Sequence, residues 1–121
     1  MFSSKATIKY FNDYCVAIID NSIVSYYCSL IPKYIQFQKQ ATQPHITVVR
    51  KDKETGWNKD LWKFKDNTTI QFQYNGPINY NSPYFFLDCW SDDIGDIRTK
   101  LGLQTFRQPF KSYHITLGNT K

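Results

Sequence analysis

Two short stretches, "QPHITVVR" at 43–50 and "SYHITLGN" at 112–119, hold both histidines of the chain. His45 and His114 are each followed by isoleucine and then threonine. An imidazole, with an ordinary pKa of about 6.5, is the side chain best suited to move a proton near neutrality. A threonine hydroxyl can donate a hydrogen bond to an oxygen on which negative charge develops. Two of each around one point suit phosphoryl chemistry. One imidazole takes a proton from the attacking hydroxyl or water, the other protonates the leaving oxygen, and Thr47 and Thr116 hold the non-bridging oxygens. The scheme needs no cofactor and no metal, and the sequence does not set which histidine is the base. Two histidines 69 positions apart, with no HxH or HExxH pattern and no CxxC pair, are a poor zinc set.

The residues around the histidines must bring them together. In a strand, residues i and i+2 share a face. His45 and Thr47 therefore point one way and Ile46 and Val48 the other, and His114 and Thr116 stand likewise against Ile115 and Leu117. Each apolar set can anchor its strand in a core while the polar pair is offered to a cleft. The elements along the chain repeat. Residues 5–11 and 14–19 read as an interrupted strand or hairpin, broken at Asn12-Asp13. Asp20 and Asn21 offer a helix cap. Apolar residues at three- and four-residue steps run from Ile23 to Tyr34, with Pro32 as a stop or kink. "HITVVRK" is a strand, and 51–67 is a polar loop with at most one short helical turn. "TTIQFQY" (68–74) alternates at period two, 75–83 is a turn-rich connector, and "YFFLDCW" (84–90) is a nearly continuous apolar strand. Ser91 caps a helix with Asp92 and Asp93 in its first turn, Arg98 and Lys100 near its end and Gly102 beyond it. "YHITLGN" is the last strand. Each His-Ile-Thr segment is thus the strand that follows a helix, as in a duplicated unit. This predicts a single α+β domain over 1–121, with two pseudo-symmetric lobes of antiparallel or mixed sheet and helices outside.

Composition narrows the classes. With 41% hydrophobic and 17% aromatic residues the chain can build a core. No run of about 18 apolar residues exists, so no helical membrane span is expected. "MFSSKATIKYF" lacks the apolar segment of a secretory leader, which predicts a cytoplasmic protein. Cys15, Cys28 and Cys89 are an odd, widely spaced set, expected to be reduced and mostly buried. A net charge of +5, spread without a block of like charge, suits a nucleotide or a short RNA and not a duplex-DNA surface. A monomer or weak dimer is expected. Among the remaining residues, Tyr10, Tyr14, Trp57, Trp62 and Trp90 are candidates to stack on bases, with Tyr10 in the first strand and Trp57 and Trp62 in the 51–67 loop preferred. Arg50, just after the first motif, is placed to reach phosphate.

The paired "HIT" segments at 45–47 and 114–116 resemble the two H-x-[ST]-x motifs of the 2H phosphoesterase superfamily, in order, separation and placement after helices. The resemblance implies two lobes around a cleft and metal-independent cleavage of nucleotide phosphodiesters. His45 and His114 are then the acid–base pair, and Thr47 and Thr116 the phosphate binders. The short chain, its opening "KATIKYFNDYCVAIID" and the first motif near residue 45 are similar to the small phage-encoded branch. That branch includes anti-CBASS nucleases, which degrade cyclic di- and trinucleotide messengers in the host cytoplasm. The sequence ends at Lys121, so a lid or base-stacking residue from a longer C-terminal tail is expected to be missing. Two other readings remain open: a 2′,3′-cyclic phosphodiesterase acting on RNA ends, and a nucleotide-binding module that does not cleave.

Overall fold

Period-two burial sets most of the strands. In β1 (Phe2–Tyr10) Ala6, Ile8 and Tyr10 are buried while Lys5 and Lys9 are exposed. The computed structural model describes residues 1–12, 14–40, 42–50, 54, 58–106 and 110–120. After β1 come β2 (Cys15–Ile18), α1 (Asn21–Ser29), β3 (Phe37–Lys39) and β4 (His45–Val49). A short 3-10 turn (Lys59–Leu61) precedes β5 (Thr69–Tyr74), β6 (Asn79–Asn81), β7 (Tyr84–Trp90), α2 (Asp92–Lys100) and β8 (Tyr113–Thr120). The apolar strand positions share one core with Val24, Tyr27, Ile94, Ile97 and Leu101 of the two helices and their ends.

Six strands close into a barrel in the order β8-β4-β2-β1-β5-β7, with β7 pairing back onto β8. All pairings among the described residues are antiparallel. The domain is therefore α+β. The strands form one closed sheet, because β1 pairs with β5 along its length and β4 touches β8. Closure leaves fewer unpaired backbone edges than two separate sheets would. The duplication nevertheless shows in the topology. β1-β2-β4 and β5-β7-β8 have the same lateral order, and each has its helix before its last strand. β3 and β6 are the additions: β3 lies on the edge of β8 beyond β4, and β6 on the edge of β7 beyond β5.

Local chemistry sets where the helices begin and end. α1 stops at Ser29, the end expected from Pro32, which has no N–H and whose ring opposes the preceding turn. Asp20 caps its start by accepting from the Ser22 N–H at 2.8 Å. α2 is capped as expected, the Ser91 hydroxyl accepting from the Ile94 N–H at 3.2 Å, and Gly102 beyond it takes φ +88°. Arg98, near the end of this helix, is buried at 2% exposure. Its guanidinium donates to the Glu54 carboxylate at 2.5 and 2.8 Å, to the Val48 carbonyl at 2.6 Å and to the Gln104 carbonyl at 2.7 Å. It so ties α2 to the end of the first motif strand. β7 is not uniformly apolar in its surroundings: Phe85, Leu87 and Cys89 are buried, while Phe86, Asp88 and Trp90 are half-buried on the opposite face.

Candidate functional site

β4 and β8 meet at the Ile46–Ile115 rung, both residues fully buried. In the antiparallel sense fixed by that rung, His45 lies alongside Thr116 and Thr47 alongside His114. All four project from the face opposite the isoleucines. The imidazoles then occupy one diagonal of a small quadrangle and the hydroxyls the other, with diagonal neighbours about 7–8 Å apart at the backbone. The four side chains line one cleft of about 490 Å³, together with Gln40, Arg50, Asn81, Tyr84, Phe86 and Phe110. The pairings extend the quadrangle into two rows across four strands. Ile18, His45, Thr116 and Phe86 form one row, and Val16, Thr47, His114 and Asp88 the other.

The two histidines are held differently. The His45 Nδ1 lies 2.7 Å from the Gln43 carbonyl. A carbonyl can only accept, so Nδ1 carries the hydrogen and the neutral ring keeps its lone pair on Nε2. The His114 Nε2 lies 3.7 Å from Asp88 Oδ1 and 3.5 Å from the Ser112 hydroxyl. Ser112 donates to the same carboxylate oxygen at 3.0 Å, and Asn79 donates to the other at 3.0 Å. The rings of Phe86 and Phe110 meet the His114 ring at 4.7 and 5.0 Å between centroids.

Of the other expected site residues, Arg50 lines the cleft. Tyr10 does not. It falls on the same face of β1 as Ala6 and Ile8, and its ring is buried edge-on against Trp62, with centroids 4.8 Å apart. Burial beside Cys15 raises the Tyr10 phenol, and the same burial pushes the Cys15 thiol up to about 12. Trp62 is half-buried, donates its indole N–H to the Phe11 carbonyl at 2.9 Å, and is not among the cleft residues. It props the β1–β2 turn from behind. Trp57 lies outside the described residues.

That turn carries Tyr14, one of the aromatics expected from the sequence as a base-stacking candidate, and Phe11, which the sequence does not single out. Phe11 and Tyr14 stack on each other, 4.6 Å apart and 13° from parallel, and both are exposed. They wall a cavity of about 420 Å³ with Val16, Ile18 and Val49, and it shares His45, Thr47 and Arg50 with the cleft. The signal for them in the sequence was two aromatics flanking a turn at Asn12-Asp13. For Asp88 it was a lone carboxylate in an apolar strand, two residues from Phe86 on the same face. Ser112 stands two positions before His114, as Gln43 stands before His45.

Comparison of the chain with protein-family models, with curated proteins and with solved structures yields no match. Among the described residues no three His, Cys, Asp or Glu side chains are grouped to hold a metal ion, and no helix is long and apolar enough to cross a membrane.

Proposed function

We propose that the protein is a phosphodiesterase that cleaves nucleotide phosphodiester bonds without a metal, in the manner of the 2H phosphoesterases. One observation carries the reading: both histidines and both HxT threonines line a single cleft, contributed by two chain segments of the same topology. Such an arrangement lets one imidazole accept the proton of an attacking water while the other donates a proton to the leaving oxygen. The two hydroxyls donate to the non-bridging oxygens as charge builds on them. The apolar cavity beside His45, walled by paired aromatic rings, suits a nucleobase next to the reacting phosphate. This favours substrates with a nucleoside on the leaving or attacking side, and cyclic di- and trinucleotides of the bacterial cytoplasm fit that description.

The test is incubation of the full chain with cyclic dinucleotides, cyclic trinucleotides and 2′,3′-cyclic mononucleotides in EDTA, read by chromatography and mass. Cleavage of the cyclic oligonucleotides is expected, with loss of about 10²–10⁴-fold in rate for His45→Ala and for His114→Ala. Cleavage of the 2′,3′-cyclic mononucleotides alone would move the function to RNA ends. Near-wild-type turnover by either folded variant, or recovery of tightly bound but intact ligand, would overturn the proposal.

A further inference from the structure

The two halves of the barrel superpose their motifs in topology, so residues that break the correspondence are informative. β2 corresponds to β7 and β4 to β8. On β2 the residue opposite His45 is Ile18, and on β7 the residue opposite His114 is Asp88. One histidine therefore has an aliphatic neighbour where its counterpart has a carboxylate. We infer that Asp88 is a positioning residue that divides the work of the pair, holding His114 as the proton donor and leaving His45 as the base. This rests on the phosphodiesterase reading and adds to it a residue and an assignment of roles.

The surroundings of Asp88 fit that task. One oxygen accepts from Ser112 and faces the His114 ring, and the other accepts from Asn79, so the carboxylate is fixed from both sides. It is half-buried, at 33% exposure against 28% for His114, which weakens screening by water. An anion facing an imidazole favours the imidazolium. Among the described residues, the other titratable or charged groups on the cleft are His45 on β4, Arg50 just beyond it and Tyr84 at the start of β7. Among the described residues no carboxylate lines the cleft or the adjoining apolar cavity, and Asp88 stands beside His114 and not opposite His45, whose partner on β2 is Ile18. His45 has the complementary preparation. The Gln43 carbonyl keeps the hydrogen on Nδ1 and the lone pair on Nε2.

The step balances within the pair. The His45 Nε2 lone pair takes a proton from water, the water oxygen bonds to phosphorus, and the bond from phosphorus to the leaving oxygen breaks with its electrons on that oxygen. A proton from the His114 imidazolium neutralises it. The two histidines then exchange protons with solvent to restore the starting state.

Two measurements on the full chain test the inference, with Asp88→Asn as the variant because it keeps the size and polarity of the side chain. In an NMR pH titration of the imidazoles, Asp88→Asn is expected to lower the His114 midpoint by about one pH unit. Turnover supplies the second readout. Cyclic di-adenylate has a poor alkoxide leaving group that needs an acid, whereas a p-nitrophenyl phosphodiester has a good one that does not. Asp88→Asn is expected to slow the first at least about tenfold and the second less than about threefold. Ser112→Ala, which removes only the bridging hydroxyl, should act in the same direction and more weakly. An unmoved His114 midpoint, or equal loss on both substrates, overturns the inference. A wild type inert toward both substrates overturns the phosphodiesterase reading instead, and the imidazole titration still decides whether Asp88 sets the state of His114.

Discussion

At the scale of single residues, Phe11 and Tyr14 have the clearest unspent interaction. Their rings stack on each other at 45% and 37% exposure on the rim of a cavity that opens onto His45. Rings left that open are poorly accounted for by the core, and a purine or pyrimidine would cover them. Base–aromatic stacking is worth about 1–3 kcal/mol, so Phe11→Ala or Tyr14→Ala is expected to raise KM for a cyclic dinucleotide roughly five- to a hundredfold, with a smaller change in kcat. Steady-state kinetics on the variants checks this, and an unchanged KM for both refutes it. The four candidate site residues were legible in the sequence because a period-two motif occurs twice around the only two histidines. Which aromatics line the adjoining cavity was not, since Tyr10, Phe11 and Tyr14 look alike in a list of residues. Only the strand's face decides that Tyr10 goes to the core. Asp88 was hidden differently, inside an apolar run whose alternation is masked by Phe86 and Trp90 on its polar side.

Elements fall into two groups by how strongly the sequence announces them. α2 carries its own cap, first-turn acids and terminal glycine, and the folded helix follows them. β3 has three residues, with Phe37 half-buried and Gln38 and Lys39 exposed, too few to show a period. Its position is imposed from β8, where Gly118 lets the β3 backbone approach. A Cβ at Gly118 would fall 2.3 Å from the Gln38 carbonyl oxygen and 2.5 Å from the Phe37 ring. Backbone cannot move aside as a flexible side chain can, so Gly118→Ala is expected to expel β3 or shift β8. The expected loss is about 1–3 kcal/mol of stability. Denaturant unfolding reads the loss directly, and a variant as stable as the wild type would show that β3 is not packed on β8 at that point. Gln40, which follows β3 and lines the cleft, donates its backbone N–H to the Leu117 carbonyl at 3.1 Å. The same variant should therefore weaken substrate binding as well.

For the whole molecule, the sequence conveyed a duplicated α+β unit. It could not convey that the halves close on each other, because the β1–β5 and β4–β8 pairings depend on residues distant in the chain. Closure buries acidic protons. Burial pushes the Cys15 thiol up to about 12 and the Tyr113 phenol up to about 12, and raises Cys89 and Tyr10 as well. In the unfolded chain thiols ionise near pH 9 and phenols near 10, so over the interval up to about 12 the unfolded state binds fewer protons than the folded one. Stability from these groups is then complete below about pH 9 and is lost as pH rises toward 12. The slope is at most about 1.4 kcal/mol per pH unit for each group that remains protonated only in the fold. Guanidinium unfolding at pH 7, 9, 10 and 11 should give similar midpoints at the first two and falling ones thereafter, with Cys15→Ala flattening the fall. A midpoint that holds level to pH 11 would mean that water reaches the thiols in the native state and that the barrel is not closed around them.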